Sequence, residues 1–256
     1  ELAQWVNYDG HGSLFESRSQ NRKGLLMWMS HSCWPSMVWQ TYDYYFEPTA
    51  AYFAIKKASE PLHIQWNPAT DEVEVVNYSA GTHKGLTAKV QILNMDASVA
   101  WEKEATVDSN EDTTNKCIKL AFPANLSKVH FIKMVLTENG KVVSDNFYHR
   151  SLEENNYQDL RQLAKVALQS TTTVDKNADG TWSAVSVIEN KTSTPALMIR
   201  LNVVGSKDGQ QLLPVFYSDN YFSLLPGEKK EVRMSWKDED TRGNEGKVLI
   251  TGYNVE

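Results

Sequence analysis

A chain of 256 residues, 41% apolar and 23% charged, has material for two cores of ordinary size and carries a formal net charge of −6. That acidic balance argues against a nucleic-acid partner, which needs lysine and arginine clustered on one face. No run approaches the ~20 apolar residues that a membrane-spanning helix requires, so no membrane partner is expected.

The chain opens at Glu1, with no initiator Met and no leader, and reads as a cut piece. Trp5, Val6, Leu14 and Phe15 sit among helix-compatible neighbours, so residues 1–20 hold a predicted helix. Residues 25–29 form a predicted apolar strand, Trp34 and Pro35 a turn, and residues 47–58 a second helix. In that helix Pro48 takes an early position and Ala50, Ala51 and Ala54 follow. Strand then helix is a βα unit. Around and beyond the end of the strand crowd Trp28, Trp34, Trp39, Tyr42, Tyr44 and Tyr45, interleaved with Ser30, His31, Ser32, Gln40 and Asp43. A pyranose ring has apolar C–H faces and a rim of hydroxyls, and a pocket of flat aromatics with a few polar groups suits it. The same aromatics equally suit a hydrophobic core, and composition leaves both readings open.

After Pro61 the texture becomes alternating. Residues 63–66, 72–78, 86–93, 99–107, 116–122, 129–137 and 142–148 read as strands, with Asn139 and Gly140 as a two-residue hairpin turn. Such spacing predicts an immunoglobulin-like sandwich without the cysteine signature of antibody domains. Residues 156–168 break the period: Leu160, Leu163, Ala164 and Ala167 share one face of a predicted connecting helix. Alternation resumes over residues 171–174, 182–190, 196–204, 212–217, 221–224, 230–236 and 248–255, with turns at Asp179–Gly180, Asp208–Gly209 and Pro226–Gly227. A second sandwich follows by the same argument.

The run Trp28-Met29-x4-Trp34-Pro35-Ser36-x2-Trp39, then Asp43 among aromatics, then Ala51-Tyr52-Phe53-x2-Lys56-Lys57-Ala58-x-Glu60-Pro61-Leu62-His63 resembles glycoside hydrolase family 2. The closest branch is that of exo-β-D-glucosaminidases and β-mannosidase-like enzymes. Residues 219–228 resemble the turn region of the C-terminal Ig-like domain of that branch. The resemblance implies a mainly β chain: two Ig-like sandwiches in tandem, preceded by the last βα remnant of a (β/α)8 barrel. Residues 1–60 would be that remnant, 61–151 the first sandwich, 152–170 a linker with a short helix, and 171–256 the second sandwich. One strand and two helices cannot close a barrel, so the remnant is expected to fray or to dock on a neighbour.

Family 2 enzymes are retaining glycosidases that use two glutamates ~5 to 5.5 Å apart. Both belong to earlier barrel strands in the family, so no catalytic carboxylate is carried over, and Glu16, Glu47 and Glu60 read as solvated or structural. Carried over instead is a substrate-binding set of Trp28, His31, Trp34 and Asp43. Trp28 floors the subsite for the cleaved sugar, and Trp34 and His31 wall it. The implied partners are an oligosaccharide and the rest of the parent enzyme, with no cofactor, and the implied location is the bacterial periplasm or the exterior. A non-catalytic carbohydrate-binding or structural β-sandwich module is the alternative, and the carbohydrate-binding form needs an open aromatic face built from Trp101, Trp182 or Trp236.

Three weaker signals complete the reading. Cys33 and Cys117 fall in different predicted domains and are expected to be free, inert thiols. Asp175-Lys-Asn177-Ala-Asp179-Gly180 matches half of a calcium loop, but position twelve is Ser186, so a hairpin turn is expected and no metal. Asn77, Asn125 and Asn190 stand in glycosylation tripeptides that matter only in a eukaryotic secretory route.

Overall fold

The computed structural model describes residues 1–17, 25–36 and 39–256. Its contacts group the chain into two compact units, one of Asp9–Leu25 with Ala54–Gln162 and one of Glu1–Tyr8, Leu26–Phe53 and Leu163–Glu256.

The unit containing Ala54–Gln162 is a seven-stranded sandwich. Its strands are β1 (Leu62–Asn67), β2 (Glu72–Asn77), β3 (His83–Asn94), β4 (Val99–Ser109), β5 (Thr113–Lys119), β6 (Val129–Glu138) and β7 (Lys141–Ser151). One sheet runs β1-β2-β5 and the other β4-β3-β6-β7, all pairs antiparallel. All seven predicted strands form. Asn139 and Gly140 adopt φ of 50° and 76°, the left-handed pair that a tight hairpin demands, and they join β6 to β7. Between the sheets pack Ile64, Val73, Val75, Leu86, Val90, Ile92, Ile118, Ile132, Met134 and Leu136. Trp101 packs partly buried against the same core. Strand β1 does not alternate, because both of its faces are covered. Leu62, Ile64 and Trp66 join the core, while His63 and Gln65 meet Glu16 at the end of helix α1 (Leu2–Glu16).

The second unit holds the other seven-stranded sandwich. Its strands are β8 (Gln169–Lys176), β9 (Thr181–Glu189), β10 (Ala196–Gly205), β11 (Phe216–Tyr217), β12 (Phe222–Leu224), β13 (Lys229–Lys237) and β14 (Gly246–Thr251). The sheets are β11-β13-β9-β8 and β12-β10-β14. Ile188, Ile199, Leu201, Val203, Val232, Met234 and Trp236 are buried there. Gly246 lets β14 pass close to the core, since a Cβ at that position would stand 2.7 Å from the Trp236 ring. Phe53 of helix α2 (Ala50–Ala58) packs on Tyr221 and Tyr217, with ring centroids 5.9 and 6.4 Å away.

Each sandwich carries a buried asparagine that pins a loop. Asn77 donates to the carbonyls of Gly81 and Ser109, and Ser79 bonds back to its side-chain oxygen through backbone N–H and hydroxyl. Asn190 donates to the carbonyls of Thr194 and Leu224, and Thr192 bonds back in the same two ways. Both residues are fully buried.

Four local expectations fail. No strand forms over residues 25–29, because a lone parallel strand has no neighbour to satisfy its backbone. Helix α2 starts at Ala50 rather than 47: Pro48 bridges to Tyr42 in β fashion, and the Ala50 N–H takes the Gln4 side chain as its acceptor. In place of the connecting helix there is a short 3-10 turn at Gln158–Gln162 that buries Leu160. Val166 is then drawn into a parallel bridge with Val255. The strand expected over residues 212–217 shortens to Phe216–Tyr217.

Candidate functional site

Among its described residues the aromatic segment ahead of α2 has no helix or strand, so hydrogen bonds must hold it. The Ser30 carbonyl accepts from Tyr42 N–H and the Thr41 hydroxyl, each at 2.9 Å, folding residues 30 and 42 together. Buried Ser32 donates to Gln40 Oε1 at 2.5 Å. Asp43 closes the next turn: its Oδ1 accepts from the N–H of Tyr45 at 2.8 Å and of Glu47 at 2.9 Å. Aspartate suits such a turn because its short side chain reaches backbone donors two to four residues on. Thr49 ties the far end by donating to the carbonyls of Gln40 and Thr41.

His31 is held against this frame, its ring stacked on Phe46 at 4.4 Å and its Nε2 3.3 Å from the Tyr44 carbonyl. Trp28 and Trp34 stand out of the frame, 87% and 68% exposed. Leu26, Tyr45 and Phe46 are exposed as well. Of the four residues carried over by resemblance, His31 and Asp43 lie in one bonded network. Trp28 and Trp34 join no other described side chain by hydrogen bond or ring contact. The core reading of these aromatics does not hold for Trp28 or Trp34, which face solvent here.

Glu47, read from the sequence as helical, lies before α2 and pairs with the Arg200 guanidinium of β10. Burial opposes the charge on Arg200, yet the Tyr221 phenol and Glu47 outweigh it and raise its pKa. The Arg200 plane also lies 5.9 Å over the Tyr221 ring. This pair anchors the aromatic segment to its sandwich, and no local pattern announces it, because the partners are 153 residues apart.

In the other unit, Glu16 is a buried hub rather than a solvated side chain. Its Oε1 accepts from Asn146 Nδ2 at 2.7 Å and faces His63 Nε2 at 3.0 Å, and its Oε2 accepts from the Tyr148 hydroxyl at 2.8 Å. Glu60 meets the opposite ring nitrogen of His63 at 3.2 Å and accepts from Ser144 and Lys57. Burial opposes a charged His63, but its hydrogen bonds to Glu16 and Glu60 prevail and raise its pKa. Burial likewise opposes charge on Glu60, and its bonds to His63, Lys57 and Ser144 still bring it below the ordinary range. With its ring nitrogens and carboxylates mutually occupied, this cluster clasps α1 to β1.

The remaining motifs resolve as structure. Trp236 is buried, and Trp182 stacks on it at 6.4 Å while its indole N–H donates to Asp238. With Trp101 on the first core, these three tryptophans form no open face for a sugar. Asp179 accepts from the Thr181 N–H and hydroxyl and closes the β8–β9 hairpin. Among the described residues no group of three histidine, cysteine or acidic side chains is placed to hold a metal ion. Both cysteines are free, and burial pushes the Cys117 thiol up to about 11, out of reach of ionisation at neutral pH. No helix among the described residues is long and apolar enough to cross a membrane.

The chain is similar to known proteins. The exo-β-D-glucosaminidase Ig-fold domain matches residues 146–255. An exo-β-D-glucosaminidase of Streptomyces avermitilis is 32% identical across all of this chain, and the match covers 31% of that protein. One from Hypocrea jecorina is 31% identical over 98% of the chain and 30% of its own length. The crystal structure of an exo-chitosanase from Amycolatopsis orientalis superposes with a TM-score of 0.90 at 30% identity, covering 98% of this chain and 33% of that one. The chain thus spans about a third of the length of the relatives it matches.

Proposed function

Because this chain is the counterpart of the C-terminal portion of family 2 proteins of the exo-β-D-glucosaminidase and β-mannosidase-like branch, we propose that it works as part of a retaining, exo-acting β-glycosidase. Residues 1–60 are the last piece of the catalytic barrel in this reading, residues 61–151 and 171–256 the accessory sandwiches, and residues 152–170 their linker. The observation that supports it most is the pinned yet exposed aromatic segment. Large rings left open on a frame that Asp43, Thr49 and the Glu47–Arg200 pair hold in place need an occupant. A sugar held against Trp28 and Trp34, with the rest of the barrel around it, supplies one.

In this reading the roles divide among the residues of the aromatic segment. Trp28 offers a flat face to the C–H side of the terminal pyranose, Trp34 stands as a wall, and His31 presents an imidazole oriented by Phe46 and Tyr44. Asp43 spends Oδ1 on the turn and keeps Oδ2 for a hydroxyl or an ammonium group. Glu47 is committed to Arg200 and Glu16 to its buried hub, so neither serves as the acid or the nucleophile. The paired catalytic glutamates come from other parts of the barrel, and this chain alone hydrolyses nothing. The substrate class is a β-linked glucosaminide or mannoside oligosaccharide, met in the periplasm or outside the cell.

The test is hydrolysis of aryl β-glucosaminide, β-mannoside, β-galactoside and β-glucuronide by this chain beside a longer protein that includes the barrel. Turnover only by the longer protein, on the glucosaminide or the mannoside, is the expected result. Turnover by this chain alone, or none by either, overturns the proposal.

A further inference from the structure

A cavity of about 630 Å³ opens within the unit of the second sandwich. Residues 207–213, which leave β10, form one wall, and residues 240–244, between β13 and β14, form another. The third side is Tyr45 of the aromatic segment.

The walls are built rather than incidental. The Asn244 side-chain oxygen accepts from Lys207 N–H at 3.2 Å and Ser206 Oγ at 3.4 Å, joining one turn to the other. Asp208 Oδ1 accepts from Gln210 N–H at 3.0 Å, and the Gly205 N–H donates to the Gln210 carbonyl. Gly205 sits where these turns meet: a Cβ there would collide with Asn244 Nδ2 and stand 2.5 Å from Asp208 Oδ1. Arg242 and Gly243 take φ of 54° and 74°, which turns the second wall back on itself.

The lining chemistry narrows the ligand. Leu212 gives an apolar, buried floor and Tyr45 a ring that is 59% exposed. Gln210 and Gln211 bring amides, with no side-chain hydrogen bond to any described residue. Lys207 and Arg242 oppose Asp208 and Asp240, so the lining carries no net charge and selects neither a polyanion nor a polycation. An open ring beside amides, carboxylates and cationic donors is the set that recognises a pyranose, and the volume lies within the ~300–1,000 Å³ usual for small-ligand sites. Tyr45 packs edge-on against Tyr44 at 5.1 Å, and the Tyr44 carbonyl meets His31. The cavity therefore begins at the edge of the aromatic cluster.

We infer that this cavity is a second saccharide site, taking pyranose units of the same oligosaccharide that the Trp28 face addresses. The inference rests on the glycosidase reading above. Tyr45 stacks on the sugar face, Gln210, Gln211 and Arg242 bond its hydroxyls, and Asp208 and Asp240 accept from hydroxyls or ammonium groups. The Ig-like domain thus holds substrate as well as supporting the barrel.

The experiment is a ¹⁵N NMR titration of the whole chain with a glucosamine tetrasaccharide and, separately, its N-acetylated counterpart. Saturable shifts at the amides of residues 207–212 and 241–244 are expected, with Kd on the order of millimolar. Tyr45→Ala weakens binding by about tenfold or more, and Trp28→Ala leaves these shifts in place. Asp240→Asn weakens the free-amine sugar more than the acetylated one if the carboxylate reads an ammonium group; equal weakening assigns it to hydroxyls. Shifts confined to residues 28–34, or no shift at residues 207–244, overturn the inference, as does full affinity in a Tyr45→Ala chain that keeps native spectral dispersion. Aryl glycoside turnover by the barrel-containing protein separates the two failures: turnover there with no shifts here removes only the second site.

Discussion

Replacing Glu16 by glutamine (Glu16→Gln) keeps side-chain volume and removes one charge from the buried hub beneath α1. The carboxylate now serves three partners, His63, Asn146 and Tyr148, at 2.7 to 3.0 Å. An amide keeps one oxygen and turns an NH2 group toward donors, so at least one of these bonds is lost and the charge facing His63 with it. Breaking a buried charged pair costs ~3 to 5 kcal/mol, and a hydrogen bond to a charged group is worth ~1.5 to 3 kcal/mol. Tyr148 and Asn146 keep bonds to Trp66 N–H and to the Ile64 carbonyl, which sets the expectation at the lower end, about 3 kcal/mol. For a sandwich of this size that is a fall in melting temperature of roughly 12 °C or more.

The pH dependence carries a definite sign. His63 has a raised pKa in the fold, so its contribution is complete below the ordinary histidine value of 6.5 and is lost as pH climbs through the folded value. Glu60 is lowered, so its contribution is present above its ordinary 4.5 and is lost as pH falls through the folded value. Urea unfolding followed by circular dichroism should therefore show the gap between native protein and Glu16→Gln widest near pH 6 and narrowing as pH climbs through the raised His63 value. A gap below ~1 kcal/mol at pH 6, within the range of an ordinary surface change, refutes the reasoning. So does a gap that stays the same at both ends of the range.

Three further outcomes are expected. Trp28→Ala changes the stability of this chain by less than ~0.5 kcal/mol, since the side chain is exposed, while kcat/KM of the barrel-containing enzyme falls by about a hundredfold, ~2.7 kcal/mol at the transition state. Glu47→Ala leaves Arg200, whose Nε has no partner among the described residues, without its carboxylate. The aromatic segment then loosens by ~1 to 3 kcal/mol, read as faster hydrogen exchange at the Tyr45 and Glu47 amides. Gly246→Ala drives a methyl toward the Trp236 ring and costs ~1 to 3 kcal/mol by thermal melting; a neutral change there would mean β14 shifts freely.

What could be read from the sequence follows the range of the interactions involved. Strands of the first sandwich announce themselves by period, and Asn139 with Gly140 fixes one hairpin through backbone sterics alone. Where a distant residue decides, the pattern misleads. The helical spacing of Leu160, Leu163, Ala164 and Ala167 yields to Val166, which finds Val255 instead. The apolar run at residues 25–29 is a strand only where parallel neighbours exist. The candidate site divides the same way. Its ring-rich composition is legible, as is the turn-forming aspartate, but the Arg200 anchor of Glu47 and the His63 partner of Glu16 depend on residues far along the chain. Tyr45 was visible as one aromatic among many, and only the fold sets it against the turns that line the cavity.

The buried asparagines impose an order of events on biosynthesis. Asn77 and Asn190 head tripeptides that an oligosaccharyltransferase accepts, yet in the folded chain their amides are sealed and the following Ser79 and Thr192 hydroxyls are spent on them. In a eukaryotic secretory host the nascent chain offers both before either sandwich closes, so sugar transfer and folding compete, and a glycan at either position bars closure of the loop it pins. Asn125 lies exposed and tolerates one. Mass spectrometry of secreted, folded material should find glycan on Asn125 and none on the other two, with modified chains retained in the cell. Asn77→Gln, which would spare the chain that race, would also remove the pin.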